Sequence, residues 1–172
     1  MTTSGSEPGS MPDAGVADAP ARAPMGTPFQ QGLGISWDEI EDEPGSMAAT
    51  LEVTDGIRGP AGFLEGGVIA TLVDCAGAAA AVRSLGDMVA TTHMTLSFLS
   101  PGRTGPVRAE GRVLRTGRRD SVVEVRVLDT GDGDRLMAVS HMAVRSLGRP
   151  LPEFPQPNQP RTEDPTGPPL RR

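Results

Sequence analysis

The sequence predicts an α+β domain in which a curved antiparallel sheet of five to six strands wraps one long central helix. Three observations carry this. The stretch LEGGVIATLVDCAGAAAAV, residues 64–82, is apolar or small from Val68 to Val82 except at Thr71 and Asp74, so a helix built from it is apolar on every side. Four segments that alternate apolar and polar residues follow it, joined by short linkers rich in Gly and Asp, as antiparallel strands are. Two shorter strand-like segments precede it. A helix of that kind needs a sheet that curls around it.

The elements follow in chain order. Residues 1–27 and 149–172 hold most of the 17 prolines and few bulky apolar side chains. Such segments bury too little surface to offset the entropy of ordering them. They are therefore expected to be disordered tails around one domain at 28–148. GISWDEIE and SMAATLEV read as two strands separated by the turn-like EDEPGS, and TDGIRGPAGF reads as loop. The helix then opens at Gly66-Gly67 and stops at Gly86; Ala70, Gly77, Ala78, Ala80 and Ala81 keep it thin enough for close wrapping.

Residues 88–99 put Met88, Ala90, Met94, Leu96 and Phe98 on one strand face, and Val89, Thr91, His93, Thr95, Ser97 and Leu99 on the other. The segments 107–114, 121–128 and 135–147 are the remaining strands. The linkers SPGRTGP, RTGRRD and DTGDGD are short, which implies antiparallel neighbours throughout. Val89 and Leu99 on the outer face, with an open sheet edge, point to self-association.

Net charge is −6 and no basic cluster exceeds Arg118-Arg119, which argues against a broad nucleic-acid or anionic-membrane surface. The N-terminus lacks the pattern of a secretory signal. The apolar segment 68–82 falls short of the roughly 20 residues a bilayer span needs. With a single cysteine as well, the expected compartment is the cytoplasm.

Asp74 is the residue that does not belong with its neighbours, because an unpaired buried carboxylate is costly. It follows Gly66 by eight residues, a little over two turns and about 12 Å along the same side of the helix. Free N–H groups at a helix start can donate to a developing oxyanion, and glycine lets a substrate approach that backbone closely. Acyl transfer suits such a pair. One carbonyl cannot meet both ends of that separation, so either the substrate spans it or the acid comes from a neighbouring subunit.

The run GFLEGGVIATLVDCAGAAAA, followed by VATTHMTLSFLSPGRTGPVRAEGRVLRTGRR, resembles the hotdog-fold acyl-CoA thioesterases of the phenylacetate-pathway (PaaI-like) type over about residues 32–147. The resemblance implies a homodimer or dimer of dimers, with active sites at the subunit interface and no metal or cofactor beyond the CoA of the substrate. It implies that the Gly66 N–H polarises the thioester carbonyl, with Gly67 beside it. It implies that Asp74 of the partner subunit is the catalytic carboxylate, as general base on water or as nucleophile. Thr91 then stands beside the acid and helps place water. Two positions depart from the family: its His falls on Glu65, a replacement acid, and an Asn that helps bind carbonyl or water falls on Gly59. A Glu beside oxyanion donors opposes the developing charge unless it points away.

Other candidates are plainer. His93 and His141 with one cysteine make no metal set, DTGDGD reads as a hairpin turn, and Cys75 as an inert buried thiol. Arg103, Arg115, Arg118 and Arg119 lie in two strand-joining turns, either of which suits the phosphates of CoA; Arg118 and Arg119 are the candidate substrate-binding pair. With no tyrosine, one Trp37 and four phenylalanines, the pocket is expected to be mainly aliphatic. The expected activity is acyl-CoA hydrolysis, with a non-catalytic acyl-CoA or acyl-lipid binder as the rival and a hydratase on the same fold as a third reading.

Overall fold

Val123, Val125 and Val127 are fully buried, whereas Glu124 and Arg126 between them are not; this alternation makes one face of a strand the wall of the core. The computed structural model describes residues 26–40, 43 and 45–151. Apart from residues 26–27 and 149–151, the tails expected at 1–27 and 149–172 lie outside the described residues. The strands are β1 (Ser36–Glu39), β2 (Met47–Leu51), β3 (Val89–Phe98), β4 (Val107–Thr116), β5 (Asp120–Asp129) and β6 (Arg135–Ser146). They form one antiparallel sheet in the order β1-β2-β4-β5-β6-β3. Helix α2 (Gly66–Leu85) lies along its concave face.

The helix bounds coincide with their glycines. Gly86 closes α2 in the left-handed conformation, with φ 74° and its N–H donating to the Val82 carbonyl, a backbone that a side chain would resist. Leu72, Val73, Ala76 and Ala80 of α2 pack on Val107, Ala109 and the β5 valines. At about 1.5–3 kcal/mol for each large apolar side chain buried, this interface dominates the fold's stability. It is also tight: a Cβ on Gly111 of β4 would lie 2.6 Å from the Ala76 carbonyl oxygen, and one on Gly77 would overlap the Met142 sulphur.

Several expectations need correction. The linker 99–106 does not join neighbours: β3 pairs with β6 at the sheet edge, three places from β4. Its eight residues reach that far because an extended chain covers about 3.3 Å per residue and strands stand about 4.8 Å apart. Buried groups hold the crossing in place. Met137, the extra residue of a bulge in β6, accepts from the N–H groups of Leu99 (2.8 Å) and Ser100 (3.1 Å). The fully buried Asp129 carboxylate accepts from the backbone N–H of Arg103, Thr104 and Gly105 at 3.0, 3.1 and 2.7 Å.

The faces of β3 also differ from simple alternation. Thr91 pairs with Val144 and His93 with Ala143, so Thr92 is a surplus residue in a bulge. Beyond it Met94 and Leu96 face the core as expected, but Val89, assigned to the outer face, packs inward as well, and Thr91 turns toward α2 with it. A bulge switches the phase of a strand. Nor is α2 covered all round, since Ala70, Thr71, Asp74, Ala78 and Val82 form a partly exposed stripe. The helix has 20 residues, long and apolar enough by length and composition to span a membrane; the sheet packed against it accounts for that composition. A short helix α1 (Pro28–Gly32), unanticipated, carries a capping box between Thr27 and Gln30.

Candidate active site

Asp74 sits midway along the partly exposed stripe of α2, where the bulge brings Thr91 to meet it. The Thr91 hydroxyl donates to Asp74 Oδ1 at 2.6 Å, a length typical of a hydroxyl bonded to a carboxylate. The other carboxylate oxygen has no hydrogen-bond partner among the described residues, and the residue is only partly buried. The next side chain points into the protein: Cys75 is buried and accepts from Gln30 Nε2 at 3.2 Å. Burial first, and the Asp74 charge in addition, push its thiol up to about 11 against the lowering pull of the Gln30 bond. Such a thiol is no nucleophile at neutral pH.

The start of α2 is the second half of the site. Val68 and Ile69 donate to the Glu65 carbonyl at 3.0 and 3.2 Å, whereas the N–H groups of Gly66 and Gly67 meet no acceptor among the described residues. Those two amides are the helix's free donors. Gly66 borders a cleft of about 410 Å³ lined by Phe63, Leu64, Ile69, Phe98, Leu99 and Pro101 together with Ser100. Leu64, Ile69, Leu99 and Pro101 make the lining mainly aliphatic, and two of the chain's four phenylalanines, Phe63 and Phe98, join them. From Gly66 to Asp74 the helix advances about 12 Å, so within one chain the free amides and the carboxylate stand apart.

Glu65 is the N-cap residue, with φ −63° and ψ 139°, yet its side chain makes no capping hydrogen bond. Instead it lies over Gly59, its Cγ 3.4 Å and Oε1 3.7 Å from where a Cβ on Gly59 would stand. The absent side chain at 59 thus makes room for Glu65 to fold away from the cap. Among the described residues Glu65 has no ion-pair partner; the adjacent Arg58 engages Asp55, the Gly62 carbonyl and the Arg103 carbonyl.

The arginines separate into two places. Arg118 and Arg119 line a second cleft of about 410 Å³ with Asp120 and Arg145 in the β4–β5 turn. That turn adjoins the far end of α2, where the Ser84 and Thr116 hydroxyls bond each other. The length of the helix, about 30 Å for 20 residues, therefore stands between them and their own Gly66. Arg103, by contrast, is beside the Gly66 cleft, its guanidinium 4.6 Å from the centre of the Phe63 ring. His141 lies 3.9 Å from Glu124 on the outer sheet face, and His93 is exposed on β3. Among the described residues no three His, Cys, Asp or Glu side chains gather as metal ligands would.

Sequence reasoning missed Asp129, Phe63 and Phe98. Burial by itself raises the Asp129 carboxyl, but the three amide donors, together with Arg135, outweigh it and hold the group below its ordinary value. Its position, at a strand end before Thr-Gly, is where an Asp acceptor commonly organises a turn.

The thioesterase superfamily model matches residues 61–135. A 1,4-dihydroxy-2-naphthoyl-CoA hydrolase of Listeria monocytogenes is 26% identical over 118 residues, covering 67% of this chain and 93% of the relative. A protein named "Putative esterase" in Halobacterium salinarum is 34% identical over 113 residues, covering 59% of this chain and 72% of that one. The structure of the E. coli PaaI protein from the phenylacetic acid degradation operon superposes with a TM-score of 0.64 over 71% of this chain and 86% of its own, a likeness of fold at 24% identity.

Proposed function

Because the chain belongs to the thioesterase superfamily and has its hotdog fold, we propose that it hydrolyses acyl-CoA thioesters in the cytoplasm as a homodimer or dimer of dimers. Acyl-CoA is the substrate class suggested by the Listeria relative's name. The observation that carries the reading is the Asp74 carboxylate held at 2.6 Å by Thr91 on an uncovered helix face, with unused amide donors at Gly66 and Gly67.

One helix holds donor and acid about 12 Å apart, so a single carbonyl meets both only if the acid comes from a second copy. The open β3 edge and the uncovered stripe of α2 are surfaces that a second copy would cover. In the assembled site the thioester oxygen accepts from the Gly66 N–H. The partner's Asp74 takes a proton from water, and the resulting hydroxide adds to the carbonyl carbon. The tetrahedral oxyanion collapses, the carbon–sulphur bond breaks, and the thiolate takes the proton to leave as CoA thiol, with the acyl group released as free acid. In the other route the carboxylate itself attacks, forming a mixed anhydride that water opens. A single turnover in ¹⁸O-water separates them, because only the anhydride route can leave label in Asp74.

The non-catalytic binder draws support from one feature, the Glu65 carboxylate at the helix start, where it opposes negative charge on a nearby oxygen. Its fold over Gly59 removes part of that objection. Hydrolysis of a panel of acyl-CoAs by wild type and Asp74→Asn decides. Turnover that collapses in the variant supports the enzyme, and equal slow turnover by both supports the binder. Glu65→His is the companion: a gain in turnover marks Glu65 as a weakening substitution.

A further inference from the structure

The wall of the cleft nearest the amide donors is a single aromatic ring. A Cβ on Gly66 would stand 3.3 Å from Phe98 Cζ and 3.5 Å from Cε1, so the ring lies in contact with the glycine whose N–H is the oxyanion donor of the proposed site. Phe98 nonetheless keeps 56% of its surface exposed, as does Leu99 beside it. Phe63, Leu64 and Ile69 continue the apolar wall; among the described residues those lining the cleft are uncharged, with the Arg103 guanidinium 4.6 Å from the Phe63 ring centre.

An apolar surface so close to the reacting carbonyl meets whatever is attached to that carbonyl. On one side this is the acyl chain, beginning with its first carbon; on the other it is sulphur followed by the polar, amide-bearing arm of CoA. Only the acyl side gains by covering apolar surface, at about 25 cal/mol per Å² removed from water. An acetyl group is too short to cover a phenyl ring, whereas a six-carbon chain or an aryl group spans it. The cleft, at about 410 Å³, falls within the roughly 300–1,000 Å³ of small-molecule sites.

We propose that Phe98 is the specificity-determining residue of the thioesterase site, and that it selects bulky apolar acyl groups over acetyl by lying against them while Gly66 holds the carbonyl. The inference rests on the thioesterase reading. Its test compares kcat/KM for acetyl-CoA, hexanoyl-CoA and benzoyl-CoA in wild type, Phe98→Leu and Phe98→Ala, with molar mass in solution measured for each. Phe98→Ala is expected to lose at least about tenfold on hexanoyl- and benzoyl-CoA, or roughly 1.4 kcal/mol of transition-state binding, and less than about threefold on acetyl-CoA. Phe98→Leu, which keeps apolar bulk, is expected to retain most of the hexanoyl-CoA activity while losing on benzoyl-CoA. Equal losses on all three substrates, or none on the bulky two, overturn the proposal. So does a fall in molar mass in Phe98→Ala, which makes the ring an interface residue between copies. A wild type that hydrolyses none of the three, no better than Asp74→Asn, overturns the thioesterase reading itself; a wild type active with an unselective Phe98→Ala overturns only the role of Phe98.

Discussion

Replacing Gly111 by alanine tests how closely the helix and sheet backbones approach. The added Cβ would lie 2.6 Å from the Ala76 carbonyl oxygen, 2.8 Å from its carbon and 3.1 Å from the Gly77 nitrogen. All three atoms are main chain of α2, so no side chain can rotate to relieve the overlap, and helix and sheet must part. Overpacking costs about 1–3 kcal/mol, and a rigid obstacle places this case near the upper limit. Stiffening the unfolded chain returns about 0.4–1 kcal/mol, which leaves a net loss of about 2–2.5 kcal/mol. For a domain of this size that lowers Tm by about 6–10 °C, using roughly 3–4 °C per kcal/mol. Gly77→Ala is the internal control. Its Cβ meets the flexible Met142 end and Val125, and a helix-interior alanine gains about 1 kcal/mol over glycine, so its loss should be smaller. Scanning calorimetry of the two variants measures both quantities. A Gly111→Ala melt within about 2 °C of wild type, or one above that of Gly77→Ala, would refute the reasoning.

Three further outcomes are expected. Thr91→Val keeps the shape of the side chain but removes the donor at 2.6 Å from Asp74; kcat should fall about tenfold with little change in melting temperature, and undiminished turnover would deny Thr91 any part in the chemistry. Asp129→Asn leaves amides of the 103–105 turn without an acceptor and should cost about 3 kcal/mol near neutral pH. Because the native carboxyl lies below its usual value, the wild-type advantage is complete above the unfolded value near pH 4 and shrinks as pH falls through the native one. Melts of both proteins across that range check the sign, and a gap that widens in acid contradicts it. Cys75, with a thiol near 11, is only about one-thousandth thiolate at pH 8, so a disulfide reagent should label the folded protein slowly and the denatured one fast; rapid labelling of the native protein would contradict its burial.

Much of this architecture was legible in the residues because the signals were local. Gly66 and Gly86 mark the ends of α2, its alanines announce a thin helix, and alternating valines mark β5. Asp74 stood out because a carboxylate in an apolar run has few structural excuses. What stayed hidden depends on counting or on distant partners. Nothing within SPGRTGP says that β3 leaves its neighbour in sequence for the far edge, since the crossing is held by Met137 and Asp129, some 30 residues downstream. The separation of Arg118 and Arg119 from Gly66 follows from helix length and sheet order together. Glu65 looked like an obstacle until its contact with Gly59 was visible, and the cleft's aromatic wall joins Phe63 from a loop to Phe98 from a strand end.

The bulge at Thr92 makes the aim of a hydroxyl a matter of parity. Chemistry at position 91 is encoded by the threonine, but its direction is set by whether Thr92 takes a place in the ladder with β6. Were Thr92 paired opposite Val144 as an ordinary strand residue, Thr91 would move opposite Arg145 and its side chain would turn to the other face, stranding Asp74 without its donor though no residue had changed. In this segment, register is held as tightly as identity.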